Sequence, residues 1–217
     1  MRPLEVSLRI DPPVVRRRRG QGRDRILAAA GELFGAKGYS DVSMADVARA
    51  AGVTKAALYY HFADKAELYT RVSLERIDGI RSAMEAAVES GGSLEERLIR
   101  LVMVGFERLE ADVYGPHLQA HGHLDDAHHQ QLHAAMEGLT DPVVRCFEEA
   151  GPASPAISPK AAAALLGGIV ASLIFQVDGP GPLPVDRHDR ASLAIGLFLR
   201  GYWSLAGDAR PEEPAAG

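Results

Sequence analysis

Cysteine is nearly missing from this chain: Cys146 stands alone among 217 residues. One thiol cannot close an intramolecular disulfide or build a cysteine zinc cage, so neither staple accounts for the fold. A glycine-rich phosphate loop, an HExxH arrangement and a nucleophile with base and orienting partner at recognisable spacing are also lacking, and the chain is expected not to be an enzyme and to need no cofactor. No charged-then-apolar segment with a small-residue cleavage site opens the chain, from which a cytoplasmic setting is expected. There is no period-two alternation of useful length and no internal repeat, which leaves helices as the building material.

With 47% hydrophobic residues, the chain can bury a real core in one domain or two small ones. Its net charge of −5 conceals a division. Residues 1–70 hold 12 Lys and Arg against 8 Asp and Glu, whereas residues 71–217 hold 12 against 21. A basic front is joined to an acidic back, and nucleic-acid binding depends on the local field where phosphates approach.

Residues 1–22 carry Pro12, Pro13, Gly20 and Gly22 without a sustained apolar period and read as a flexible tail. Within it, Arg16 to Arg19 are either solvated or form an arm that follows a phosphate backbone or enters a minor groove, with Arg19 the candidate contact. From Asp24, the apolar positions Ile26, Leu27, Ala30, Leu33 and Phe34 predict a first helix ending at Lys37-Gly38. Ser43-Met-Ala-Asp46 resembles a capping box and predicts a second helix to about Ala50. Ala51-Gly52-Val53 reads as a turn, Thr54 as the cap of a third helix through Tyr60 or His61, and Asp64 as the cap of a fourth with Leu68, Val72 and Ile77 inward.

Two short helices joined by a tight glycine turn form a helix-turn-helix. Around the third helix, Val53 and Leu58 are predicted to face the core while Lys55, Ala56, Tyr59 and Tyr60 project outward. Phenol and imidazole groups near a helix end suit phosphate contact, and the small Ala56 and Ala57 permit close approach to bases. Phe62 is assigned to the core.

The run from Val42 to Leu68, VSMADVARAAGVTKAALYYHFADKAEL, resembles the TetR family of one-component transcriptional regulators, over roughly 50 residues from Asp24. The resemblance implies an all-α chain with an N-terminal three-helix DNA-binding domain, a C-terminal helical regulatory and dimerisation domain, and a homodimer acting mostly as a repressor released by a small molecule. Carried over by position, Ser43 and Thr54 would be phosphate or cap contacts, Lys55 and Tyr59 would face the groove, and Tyr60, His61 and Lys65 would hold the backbone. Ala45 stands where some members carry a base-reading side chain. Its methyl cannot hydrogen-bond a base edge, so the operator is expected to depend on Lys55, Tyr59 and shape readout.

The domain boundaries expected are 23–70 for DNA binding, 71–210 for ligand binding and dimerisation, and 211–217 as a disordered end. Helices are predicted at roughly 64–90, 93–112, 116–122, 126–149, 159–178 and 187–207. Ala161 to Val177 is almost wholly apolar but short for a bilayer and interrupted by Gly167, Gly168, Ser172 and Gln176, so a buried helix is expected. Ala164, Gly168 and Ser172 make a small-residue stripe, and the last two helices, with Leu193, Leu197, Phe198, Trp203 and Leu205, are predicted to form a four-helix dimer seam. Met103, Phe106, Leu139, Phe147, Leu173 and Gln176 are candidate linings for an effector, though plain core is the simpler reading of each. His117, His121, His123, His128, His129 and His133, with Asp125 and Asp126 among them, offer an alternative: a metal- or pH-responsive element or, more remotely, a metal-dependent enzyme. Solvated or packing histidine is the simpler reading, and no metal site is assigned.

Overall fold

A computed structural model describes residues 21–112, 120–151, 157–174 and 186–205, with the backbone alone described at 21, 109–112, 121 and 173–174. No strand occurs among the described residues. The arginine run with Arg19, His117, Gln176, the side chain of Leu173 and the segment 211–217 lie outside the described residues.

The head is built from α1 (Gln21–Lys37), α2 (Met44–Ala50) and α3 (Lys55–His61). Helix α1 starts three residues earlier than its apolar pattern indicates, and Gly38 ends it with φ 79°. Ser43 caps α2 as the sequence suggests: its hydroxyl accepts from the Asp46 N–H at 3.2 Å and the Asp46 carboxylate reaches back to the Ser43 N–H at 3.2 Å. Thr54 caps α3 by accepting from the Ala57 N–H at 3.1 Å. Between the two, Gly52 takes φ 63°, a left-handed conformation open to glycine at little cost. Ile26, Ala30, Phe34, Val47, Leu58 and Phe62 interlock beneath, all at most 2% exposed.

Helix α4 (Lys65–Glu89) belongs to both halves of the chain. Asp64 caps it through the Glu67 N–H at 2.8 Å, and Leu68, Val72 and Ile77 face inward as their spacing predicts. Its first turns pack on α1, where the Arg76 guanidinium donates to the Gly31 carbonyl at 2.6 Å. Its later turns pack on α5 (Leu94–Asp112) and α6 (Asp126–Glu137). Gly91 and Gly92, at φ 77° and 99°, reverse the chain, and Ser93 recaps it by accepting from the Glu96 N–H.

The helix expected over 126–149 is two helices. Helix α6 stops at Glu137, a 3-10 turn covers Gly138–Thr140, and α7 (Asp141–Ala150) follows. Pro142 accounts for the break: it has no N–H to give the Gly138 carbonyl and its ring would collide with that carbonyl in a continuous helix. Of the piece expected near 116–122, Ala120 is helical and a 3-10 turn follows at His121–His123. Helices α8 (Pro159–Ile174) and α9 (Arg187–Ser204) complete the body, α8 against α7 and α9 against α5. No helix among the described residues is long and apolar enough to cross a membrane.

Candidate nucleic-acid interface and regulatory cavity

The helix-turn-helix brings Ser43, Lys55, Tyr59 and Lys65, four of the predicted contact residues, together on one side of the head. Ser40, Asp41, Ser43, Ala45, Lys55, Tyr59 and Lys65 line a shallow concavity between the loop after α1, the start of α2 and the face of α3. Thr54, Lys55 and Ala56 are exposed, Tyr59 is 46% and Tyr60 78% exposed, while Leu58 is wholly buried and Val53 half-buried. Exposure of two neighbouring tyrosines departs from the usual burial of aromatic rings and leaves both hydroxyls available to an outside partner. His61 is half-buried, its ring 5.3 Å from that of Tyr60.

Lys65 is more constrained than its place in the sequence suggests. Its Nζ donates to the Ser40 carbonyl at 3.3 Å and lies 4.3 Å from the centre of the Tyr39 ring. Partial burial pulls its ammonium below the usual lysine value, with Asp41 acting in the opposite direction. An ammonium has three donors, so two remain for an incoming oxygen. Tyr39 and Ser40 were not singled out in the sequence. The signal for them was the aromatic after the terminating Gly38, but nothing local shows that it meets Lys65.

The body holds a cavity of about 220 Å³ among α4, α5, α6, the 138–140 turn, α7 and α8. Its walls include Met84, Leu98, Val102, Met136, Leu139 and Leu166, and among the described residues no charged side chain reaches them. The one hydroxyl, that of Thr140, donates to the Glu137 carbonyl at 2.8 Å. Of the predicted linings, Leu139 takes part. Met103 lies off the face of α5 formed by Leu98, Leu101, Val102 and Gly105. The Phe106 ring instead meets the Arg187 guanidinium at 6.0 Å, and Phe147 packs on Tyr202 and Phe198 with ring centres 5.1 and 6.0 Å away. Both aromatics fill core rather than face space.

The described histidine side chains disperse. His128 Nδ1 meets Asp125 at 2.7 Å, His133 Nδ1 meets Glu137 at 3.4 Å, and His123 turns to the head. Among the described residues no three His, Cys, Asp or Glu side chains converge as a metal site would need. Cys146 is fully buried, and burial pushes its thiol up, away from reactive thiolate.

Residues 26–72 match the sequence profile described as "Bacterial regulatory proteins, tetR family". The chain is 35% identical over 97 residues to the HTH-type transcriptional activator FasR of Mycolicibacterium smegmatis, a match covering 45% of this chain and 44% of that one. It therefore matches less than half the length of that curated relative. Among solved structures, the TetR family transcriptional regulator PfmR from Thermus thermophilus superposes with a TM-score of 0.59 at 26% identity, over 82% of this chain and 98% of that one. FadR from Bacillus subtilis, solved with stearoyl-CoA, shares the fold with a TM-score of 0.63 at 16% identity, over 82% of this chain and 98% of that one.

Proposed function

This chain belongs to the TetR family of bacterial regulatory proteins, and we propose that it binds a palindromic DNA operator as a homodimer and represses transcription until a small apolar effector occupies its body. The observation that carries the DNA reading is the gathering of Ser43, Lys55, Tyr59 and Lys65 around one concavity beside the exposed Tyr60. Lys55 and Tyr59 would reach into the major groove, Ala56 would let the helix approach, and Ser43, Thr54, Tyr60, His61 and Lys65 would hold phosphates, with Arg19 adding a contact from the arm. Two heads on a twofold axis read half-sites about 34 Å apart for one helical turn.

The cavity supports a ligand whose buried part is uncharged hydrocarbon, because a charge among walls without a counter-charge would have to be desolvated unpaired. The acyl tail of the stearoyl-CoA found in FadR is of that kind. Such a ligand acts only through the difference in its affinity for the two head spacings, about 5.5 kcal/mol for a near-complete switch. Repression is the sign we assign; FasR carries the name of an activator, and a reporter fused to the promoter preceding the coding region, assayed with and without this protein, gives the sign. A cytoplasmic setting follows from a DNA partner.

The test is fluorescence anisotropy on duplexes from the promoter preceding its own coding region. Wild type should bind, while Lys55→Ala and Tyr59→Ala should weaken binding more than tenfold together, about 1.4 kcal/mol. No binding to any such duplex in dilute buffer overturns the reading.

A further inference from the structure

The 3-10 turn His121–His123 belongs to the body, yet its last residue touches the head 83 positions earlier in the chain. The His123 ring is stacked on Tyr39 with centres 5.3 Å apart and planes 23° apart, and its Nε2 lies 3.4 Å from the Ser40 hydroxyl. The same two residues hold Lys65: Tyr39 offers its ring at 4.3 Å from Nζ and Ser40 its carbonyl at 3.3 Å. Tyr39 itself is braced by Phe34 and Tyr69, with ring centres 6.0 and 5.1 Å away, so it has little room to follow any other course. A body residue and a candidate phosphate-binding lysine thus share one two-residue platform.

The platform is also joined to the cavity through two extended residues and one helix. Asp125, two positions after His123, caps α6 through the His128 N–H at 2.9 Å. Twelve residues later α6 ends, having carried Met136 to the cavity wall, with Leu139 and Thr140 just beyond. A helix of that length is about 18 Å long and shifts as a rod, so displacement at one end is felt at the other.

We propose that His123 is a positioning residue: by stacking on Tyr39 it fixes the platform that aims Lys65 at the DNA backbone, and it links the occupancy of the cavity to that aim. This rests on the DNA-binding reading above for its consequence, but the contact with Lys65 can be tested without DNA. The ring stack carries the effect more than the Nε2 contact, since 3.4 Å is at the outer limit of a hydrogen bond. His123 is itself exposed, so replacing it leaves the core intact.

The experiment compares full-length wild type, His123→Ala, His123→Phe, Lys65→Ala and the double variant. Reductive methylation read by mass spectrometry should show Lys65 reacting more slowly than the exposed Lys55 in wild type, several-fold faster in His123→Ala, and at the wild-type rate in His123→Phe, which restores a ring. Lys55 should not change. On promoter duplexes, His123→Ala should weaken binding about fivefold and flatten the log-log salt dependence by about one, as Lys65→Ala does, and the double variant should lose no more than Lys65→Ala alone. Unchanged Lys65 reactivity in His123→Ala, or additive losses in the double variant, overturns the proposal. Absence of DNA binding by wild type would overturn the regulator reading alone, with the methylation result still deciding the platform.

Discussion

Ser43 and Asp46 start α2 by exchanging hydrogen bonds, and that exchange gives the head a pH dependence. The Ser43 hydroxyl, then its backbone N–H, hold the Asp46 carboxyl below the usual carboxylate range. A carboxyl depressed in the native state contributes stability that is complete above its unfolded value and is lost as pH falls through the lower native one. Asp46→Ala is expected to melt below wild type at pH 7 and to converge with it in strong acid, in paired thermal melts followed by circular dichroism. A gap of equal size at both pH values would mean that the charge-assisted bond contributes nothing. Removing the other partner, Ser43→Ala, should cost about 1 kcal/mol in a denaturant titration at pH 7. Glu96, held down by the Ser93 N–H, and Asp125, held down by the His128 N–H, repeat the device at the starts of α5 and α6, so acid should loosen three helix ends together.

At the scale of elements, the turn between α2 and α3 depends on one backbone angle. A Cβ at Gly52 would meet no atom nearer than the Arg25 guanidinium at 4.0 Å, so Gly52→Ala is not opposed by crowding but by φ 63°. The expected loss is about 1 kcal/mol, visible as a shifted denaturation midpoint with an unchanged slope. Gly167 is the opposite case: it sits in α8 with ordinary helical backbone, on the cavity wall, and a Cβ there meets nothing within 4 Å. Gly167→Ala should stabilise by about 0.5–1 kcal/mol, and Gly167→Leu should fill the cavity and leave operator binding unresponsive to effector extracts that release wild type.

These elements also show what the sequence could and could not tell. The head was legible nearly residue by residue because its determinants are local: caps three positions from their partners, a glycine where the chain must turn, and an outward face one helical step from Leu58. The single helix expected over 126–149 failed where Pro142 outweighed a continuing apolar period. The cavity was not legible, since Met84, Val102, Met136 and Leu166 come from four helices whose crossing angles no periodicity fixes. Glycines inside helices α5 and α8 were the available hint, for Gly105 and Gly167 both face that space.

At the scale of the molecule, the proposed pairing rests on the exposed face of α8 and α9. Leu165 and Ile169 on α8, Leu193 and Leu197 on α9 and Leu205 just after it are between 38% and 61% exposed, and the small Ala164, Gly168 and Ser172 of α8 are exposed with them. Large apolar side chains grouped this way mark a surface made for a partner, and small residues between them let helix backbones approach. Under the palindromic operator proposed above, a second copy would be the occupant. If each head neutralises about four phosphates, the dimer should show a log-log salt slope of about −7 and an isolated protomer about −3.6. Leu197→Glu places a charge in the middle of that face without touching the head, so it should convert dimer to monomer by sedimentation velocity while leaving the helical circular dichroism intact. Its binding should weaken and its salt slope fall to about half. A monomeric wild type at micromolar concentration, or a Leu197→Glu protein that keeps the full slope, would separate DNA binding from pairing and leave the apolar face without this role.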